Sequence, residues 1–207
     1  MKHHAGALQP QEITAVDGLA VTVPARALVD AARYTSFEAA VVTTDAALHG
    51  TMTTPAELGN ALDRSIDWPA NRRAVRAVEF ADGRAESVGE SRGRVAFRLV
   101  GLPIPELQVD LYDGAGRFIA RVDFYFRAQR TVGEFDGRVK YGRSLLADAD
   151  PTDILWQEKL REDALRAAGQ QVARFIWPEL ETPQVIDRRF RAAFDRASAS
   201  TSRPGGH

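Results

Sequence analysis

The chain has 207 residues, 44% of them hydrophobic and 27% charged, with a formal net charge of −1. That length allows one full core and a smaller appendage, and the charge balance excludes a general polyanion binder while leaving room for local basic patches, because Arg outnumbers Lys. The lack of cysteine excludes disulfides and thiolate metal sites and agrees with a cytoplasmic protein, and no apolar run approaches the ~20 residues of a membrane span.

Residues 1 to about 20 mix Gly, Pro and polar residues without a period and read as loosely ordered. Val23 precedes a proline and is therefore extended. Pro24 suits the first turn of a helix that runs to about Arg33, with Leu28, Ala31 and Ala32 as its apolar stripe. Ser36 caps a second helix to about Ala47, closed by Gly50. Thr54 and Pro55 open a third, to about Ser65, and a fourth covers Asn71 to Phe80. This all-helical region, residues 1–80, buries too little alone and is expected to pack on the rest.

After the Asp82-Gly83 turn the pattern changes. A helix is expected from Ala85 to Val100, stopped by Gly101-Leu102-Pro103. Leu107 to Tyr112 alternates as a half-buried strand, and Asp113 to Gly116 turns into a second strand, Phe118 to Phe126. Thr131 to Asp136 reads as a third. Pro151 to Ala168 is a long helix, Gln171 to Trp177 a fourth strand, and Pro183 to Arg196 a last helix. Residues 198–207 read as a disordered tail. The fold class is thus α/β: a small helical region, then a domain over residues 81–197 in the order helix, three-stranded meander, helix, strand.

Strand periodicity places Val122, Phe124 and Phe126 on one face and Asp123, Arg121 and Tyr125 on the other. Glu134 and Asp136 share a face of the next strand. If the strands are neighbours, three carboxylates converge, an arrangement that a hard divalent cation with oxygen ligands neutralises, most simply Mg²⁺ or Mn²⁺. The competing reading is structural, with Glu134 and Asp136 as edge-strand charges that block aggregation.

Several stretches resemble one family. Arg121-Val122-Asp123-Phe124, Gly133-Glu134-Phe135-Asp136-Gly137, Glu158-Lys159-Leu160-Arg161-Glu162-Asp163 and Val172-Ala173-Arg174-Phe175 resemble the very-short-patch-repair-endonuclease-like proteins of actinobacteria, within the PD-(D/E)XK nuclease superfamily. Ser87-Val88-Gly89-Glu90-Ser91-Arg92 is similar to the family's Ser-x-x-Glu-x-Arg helix, and Gly101-Leu102-Pro103 with Pro105 and Gln108 to its following turn and strand. The resemblance covers roughly residues 80 to 180. It implies a restriction-endonuclease-like core and a Mg²⁺-dependent DNA endonuclease, with Asp123 as the central metal ligand and Glu134 as the acid of the third strand. Asp136 stands where many superfamily members have a lysine, a role that Lys140 or Lys159 would take over. Lys159, Asp163 and Arg166 share a helix face, which can present Lys159 to the sheet.

Glu90 has two readings, a capping-box partner of Ser87 or a further metal ligand. Arg92, Arg161 and Arg174 are candidates for phosphate contacts, with Arg92 equally placed to pair with an acid. Trp156 and Trp177 read as core residues, and the four histidines show no ligand spacing. Gly18 to Asp30 resembles the segment that follows a winged helix in abortive-infection-type antitoxins, and the chain begins too late for a whole winged helix. The departure from Glu-x-Lys to Glu-x-Asp leaves a second function open: an inactive DNA- or protein-binding module with a toxin or phage-defence partner.

Overall fold

The computed structural model describes residues 7–137 and 151–201, and of residues 151–155 and 201 it describes the backbone alone. The chain divides into two compact units, Met1–Glu86 and Ser87–His207.

In the first unit, β1 (Ile13–Val16) and β2 (Leu19–Thr22) form an antiparallel hairpin over a Asp17-Gly18 turn, with φ of 50° and 77° at the two corner residues. Positive φ at both corners matches the right-handed twist of the strands, which is why Asp-Gly serves there. This corrects the expectation of a loose start. Four helices follow: α1 (Pro24–Tyr34), α2 (Phe37–His49), α3 (Pro55–Arg64) and α4 (Asn71–Phe80). The Ser36 hydroxyl accepts from Ala39 N–H, and Thr54 and Glu57 close a reciprocal capping box. The buried side of α1 is Ala25, Leu28, Val29 and Ala32, whereas Ala31, expected inside, is exposed. Glu12, 2% exposed, is gripped by Arg26 at 2.8 Å and Arg64 at 3.2 Å, and the guanidinium of Arg26 lies 4.2 Å from the Trp68 ring centre. An ion network of this kind joins the start of the unit to α1 and α3.

The second unit is mixed α/β. It starts with α5 (Val88–Leu99), three residues later than expected, because Ser87 is its N-cap. A four-stranded sheet follows in the order β3 (Glu106–Tyr112), β4 (Phe118–Phe126), β5 (Thr131–Asp136), β6 (Gln171–Ile176). The first three are antiparallel neighbours; β6 is parallel to β5 and is reached through α6 (Pro151–Ala167), since a parallel return needs a crossover. A short helix α7 (Trp177–Leu180) and a long α8 (Pro183–Thr201) complete the unit. Residues 198–201, expected in the tail, belong to α8.

Alternation sorts the sheet into two faces. Phe124, Phe126 and Phe175 turn toward α5 and α8, where Phe97 sits edge-on to all three at 5.1–5.6 Å and Phe190 at 5.0 Å. The helix can come this close because α5 carries glycines where it meets the sheet. A Cβ at Gly89 would lie 1.9 Å from the Phe135 ring, and one at Gly93 2.5 Å from the Phe175 ring. The opposite face carries the polar residues of β4 and β5 beneath α6, whose Leu165 is buried with Tyr125 and Val132.

Candidate functional site

β4 and β5 pair as Phe124 with Gly133 and Tyr125 with Val132. One step further along the same antiparallel register, Asp123 comes opposite Glu134, and both side chains share the face under α6. They open into one cavity of about 180 Å³ lined by Arg121, Asp123, Glu134, Phe135, Asp136, Glu158, Arg161 and Arg174. All three of the acids expected to meet, Asp123, Glu134 and Asp136, line this cavity. A larger depression of about 950 Å³ beside the β3–β4 turn shares Glu158 and Arg161 with it. That space is wider and more apolar, and the acids that carry the chemistry lie in the smaller cavity.

The two central acids are in contrasting states. Asp123 accepts the N–H of Phe135 at 2.9 Å through Oδ2, and no described group is hydrogen-bonded to its other oxygen. Burial pushes its pKa up to about 6; the Phe135 bond opposes this, and the charges of Glu90 and Glu134 add to it. Glu134 is more enclosed, 8% exposed. Its Oε1 accepts from Arg161 at 2.6 Å and its Oε2 from Arg174 at 2.8 Å. Burial would raise its pKa, but the two guanidinium groups outweigh burial and hold it below the usual carboxylate range. Arg174 reaches Glu158 at 3.2 Å and Glu162 at 3.0 Å as well.

Glu90 is buried at the start of α5. The Ser87 hydroxyl donates to its Oε1 at 2.7 Å, and Gln108 Nε2 donates to its Oε2 at 2.9 Å. Ser87 also accepts from the Glu90 N–H, so it is the N-cap of α5, and the Glu90 side chain meets the Ser87 hydroxyl.

The remaining candidates divide. Arg161 and Arg174 line the cavity. Arg92 does not; it pairs with Glu181 at 2.9 Å, the acid-pairing alternative. Lys159 is exposed and its ammonium lies 6.0 Å from the Trp156 ring centre, so α6 sends Glu158 and Arg161, not Lys159, to the cavity. Trp156, expected in the core, is 56% exposed, whereas Trp177 packs edge-on against Phe135. Lys140 lies outside the described residues. Three residues at the site had been given no role: Gln108, Arg121 and Glu158. Period 2 from Asp123 signalled Arg121, and the i, i+3 spacing from Arg161 signalled Glu158. Nothing in spacing signalled Gln108.

Among the described residues no three acidic or histidine side chains are disposed to ligate one ion. The donor chemistry nonetheless fits a hard divalent cation at Asp123, a buried carboxylate that lines the cavity with one oxygen hydrogen-bonded to no described group. Glu134 fits as its partner once an arginine gives way.

No family model and no solved structure matches the chain. It is similar to uncharacterized proteins of two strains of Mycobacterium tuberculosis, each 31% identical over 183 residues. The aligned part is 88% of this chain and 64% of the relative, so the chain spans just under two thirds of the length of these proteins. No helix among the described residues is long and apolar enough to cross a membrane.

Proposed function

We propose that this chain is a Mg²⁺- or Mn²⁺-dependent DNA endonuclease that hydrolyses phosphodiester bonds on a restriction-endonuclease-like core. The observation that carries the reading is Asp123, held on β4 beside Glu134 of β5 in one cavity and pushed up to about 6 by burial and acidic neighbours. The order α5, three-stranded meander, α6, parallel β6 supports it, as does the resemblance of the motifs on those elements. Asp123 and Glu134 would hold the ion, with Glu90 adding negative charge. A divalent cation here supplies a polarised phosphoryl oxygen and a water of lowered pKa. The chain's own part is to bind and orient. Phe135 N–H fixes one oxygen of Asp123, and Arg121, Arg161 and Arg174 set positive charge around the cavity, where phosphate contacts position a backbone without reading sequence.

Nicking of supercoiled plasmid in Mg²⁺ tests this. Asp123→Ala is expected to abolish metal-dependent nicking with an unchanged circular dichroism spectrum. Metal-dependent nicking that survives in the purified variant removes the assignment.

A second reading, an inactive DNA- or protein-binding module of a toxin–antitoxin or phage-defence system, is favoured by one observation. Both Glu134 oxygens are committed to arginines, and no described lysine lines the cavity. Titration calorimetry separates the two: the inactive module binds neither Mg²⁺ nor Mn²⁺.

A further inference from the structure

We propose that Arg161 exchanges partners: it closes Glu134 in the free protein, and a substrate phosphodiester draws it away, so that nucleic acid and divalent cation enter the cavity together. The inference rests on the metal-dependent reading of the site.

Each oxygen of Glu134 accepts from one guanidinium, Oε1 from Arg161 at 2.6 Å and Oε2 from Arg174 at 2.8 Å. A divalent cation needs the same oxygens, so cation and arginine compete. The two arginines differ in how they are held. Arg174 stands beside Glu134 in the parallel β5–β6 register and also reaches Glu158 at 3.2 Å and Glu162 at 3.0 Å. Strand pairing and two further acids keep it in place. Arg161 comes from α6, and its described hydrogen bond is the one to Glu134. It also lines both the acidic cavity and the depression of about 950 Å³ beside the β3–β4 turn, whereas Arg174 lines only the first of these two. Arg161 thus borders open space into which its guanidinium can turn and where a strand of nucleic acid can lie.

Arginine bonds phosphate as it bonds carboxylate, through charge-assisted and frequently bidentate hydrogen bonds, so the exchange gives up little. Charge balance favours it. The described lining of the acidic cavity carries four carboxylates against three guanidinium groups, an excess of one negative charge when all are ionised. A divalent cation by itself turns that into an excess of one positive charge, and one phosphodiester brings it to zero. Coupling between two bound ligands is reciprocal, so nucleic acid tightens the cation as much as the cation tightens nucleic acid.

The test uses the full chain and a short DNA duplex with phosphorothioate linkages, which keep the charge and resist cleavage. By calorimetry, with the heat of Mn²⁺ on duplex alone subtracted, the wild type is expected to bind Mn²⁺ about 5- to 150-fold more tightly when saturated with duplex, the usual span of coupling between sites. Arg161→Gln is expected to bind Mn²⁺ more tightly than the wild type without duplex and to gain nothing from it, saturation being checked by the anisotropy of labelled duplex. Arg174→Gln is expected to keep the gain. A gain that survives in Arg161→Gln, or that disappears equally in Arg174→Gln, overturns the proposal. Sulfate at the same concentration of charge is expected to give no comparable gain; an equal gain overturns nucleic acid as the partner. A second measurement needs no variant: in metal-free wild type, the NMR signals of the Arg161 side chain are expected to move when duplex is added, and signals that stay in place refute the exchange. Mn²⁺ affinity blind to duplex in a protein that nicks overturns the exchange and leaves the endonuclease standing. Coupled binding without nicking sinks the endonuclease alone. A wild type that binds no Mn²⁺ with or without duplex sinks both.

Discussion

Replacing Glu134 by Gln removes a charge and almost no volume. The amide keeps one acceptor oxygen but turns an NH₂ group toward the second guanidinium, so donor faces donor. A hydrogen bond to a charged group contributes about 1.5–3 kcal/mol, and removing one side of a buried ion pair costs about 3–5 kcal/mol. Arg161 and Arg174 are each 31% exposed, and Arg174 retains Glu158 and Glu162. Solvent and those acids therefore recover part of the loss, leaving about 2 kcal/mol. For a unit of this size that lowers the melting midpoint by roughly 6–12 °C. Because Glu134 titrates lower in the folded chain than in the unfolded one, its contribution is full above about pH 4.3 and disappears as pH falls through the folded value. Thermal unfolding followed by circular dichroism, with chelator present, should show the deficit at neutral pH and a narrowing of it in acid. Coincident neutral-pH melting curves would mean that neither arginine engages Glu134 in solution.

Asp123 titrates in the opposite sense. Its folded value, about 6, lies above the unfolded one, so its ionisation costs stability as pH rises from about 4 to above 6. Metal-free Asp123→Asn should therefore gain about 2–3 kcal/mol at neutral pH and nothing in acid, a difference read from denaturant midpoints at the two pH values. Gly93→Ala should cost about 1–3 kcal/mol by overpacking against Phe175, and chemical denaturation that leaves the midpoint unmoved would contradict the packing. In the first unit, Arg26→Met leaves buried Glu12 with Arg64 as its remaining described cation, beside the Gln9 N–H, and should cost about 3 kcal/mol; Trp68 fluorescence reports it directly, since Arg26 stacks on that ring.

The parts of the chain that were legible in sequence share a physical cause. β4, β5 and α4 ended at the expected residues because Phe118–Phe126 alternates between a buried and a more exposed face over most of its length, Thr131–Asp136 is a short run closed by Gly137, and Asn71–Phe80 has a clear helical period. The same alternation put Asp123 and Glu134 on one side. The β1–β2 hairpin carried the right turn residues in Asp17-Gly18, but its strands are exposed along almost their whole length, so no inside–outside contrast marks them. Lys159 failed because helical spacing gives a face but not its phase: Glu158 and Arg161 point to the sheet and Lys159 lies on the rim with Trp156. The arginine pair on Glu134 draws on β5, β6 and α6, and the hydrogen bonds of Gln108 to Glu90 and Arg121 on α5, β3 and β4, and contacts between such distant stretches leave no periodic trace.

The missing side chains at Gly89 and Gly93 set more than packing. Gly89 precedes Glu90 in sequence and touches the ring of Phe135, the residue whose amide steadies Asp123. One contact between layers thus gauges the separation of two acids that stand on different layers. A single methyl group there would act like a shim, lifting the helix and its carboxylate while tilting the ring beneath, so the thickness of the sandwich sets the electrical character of the cavity.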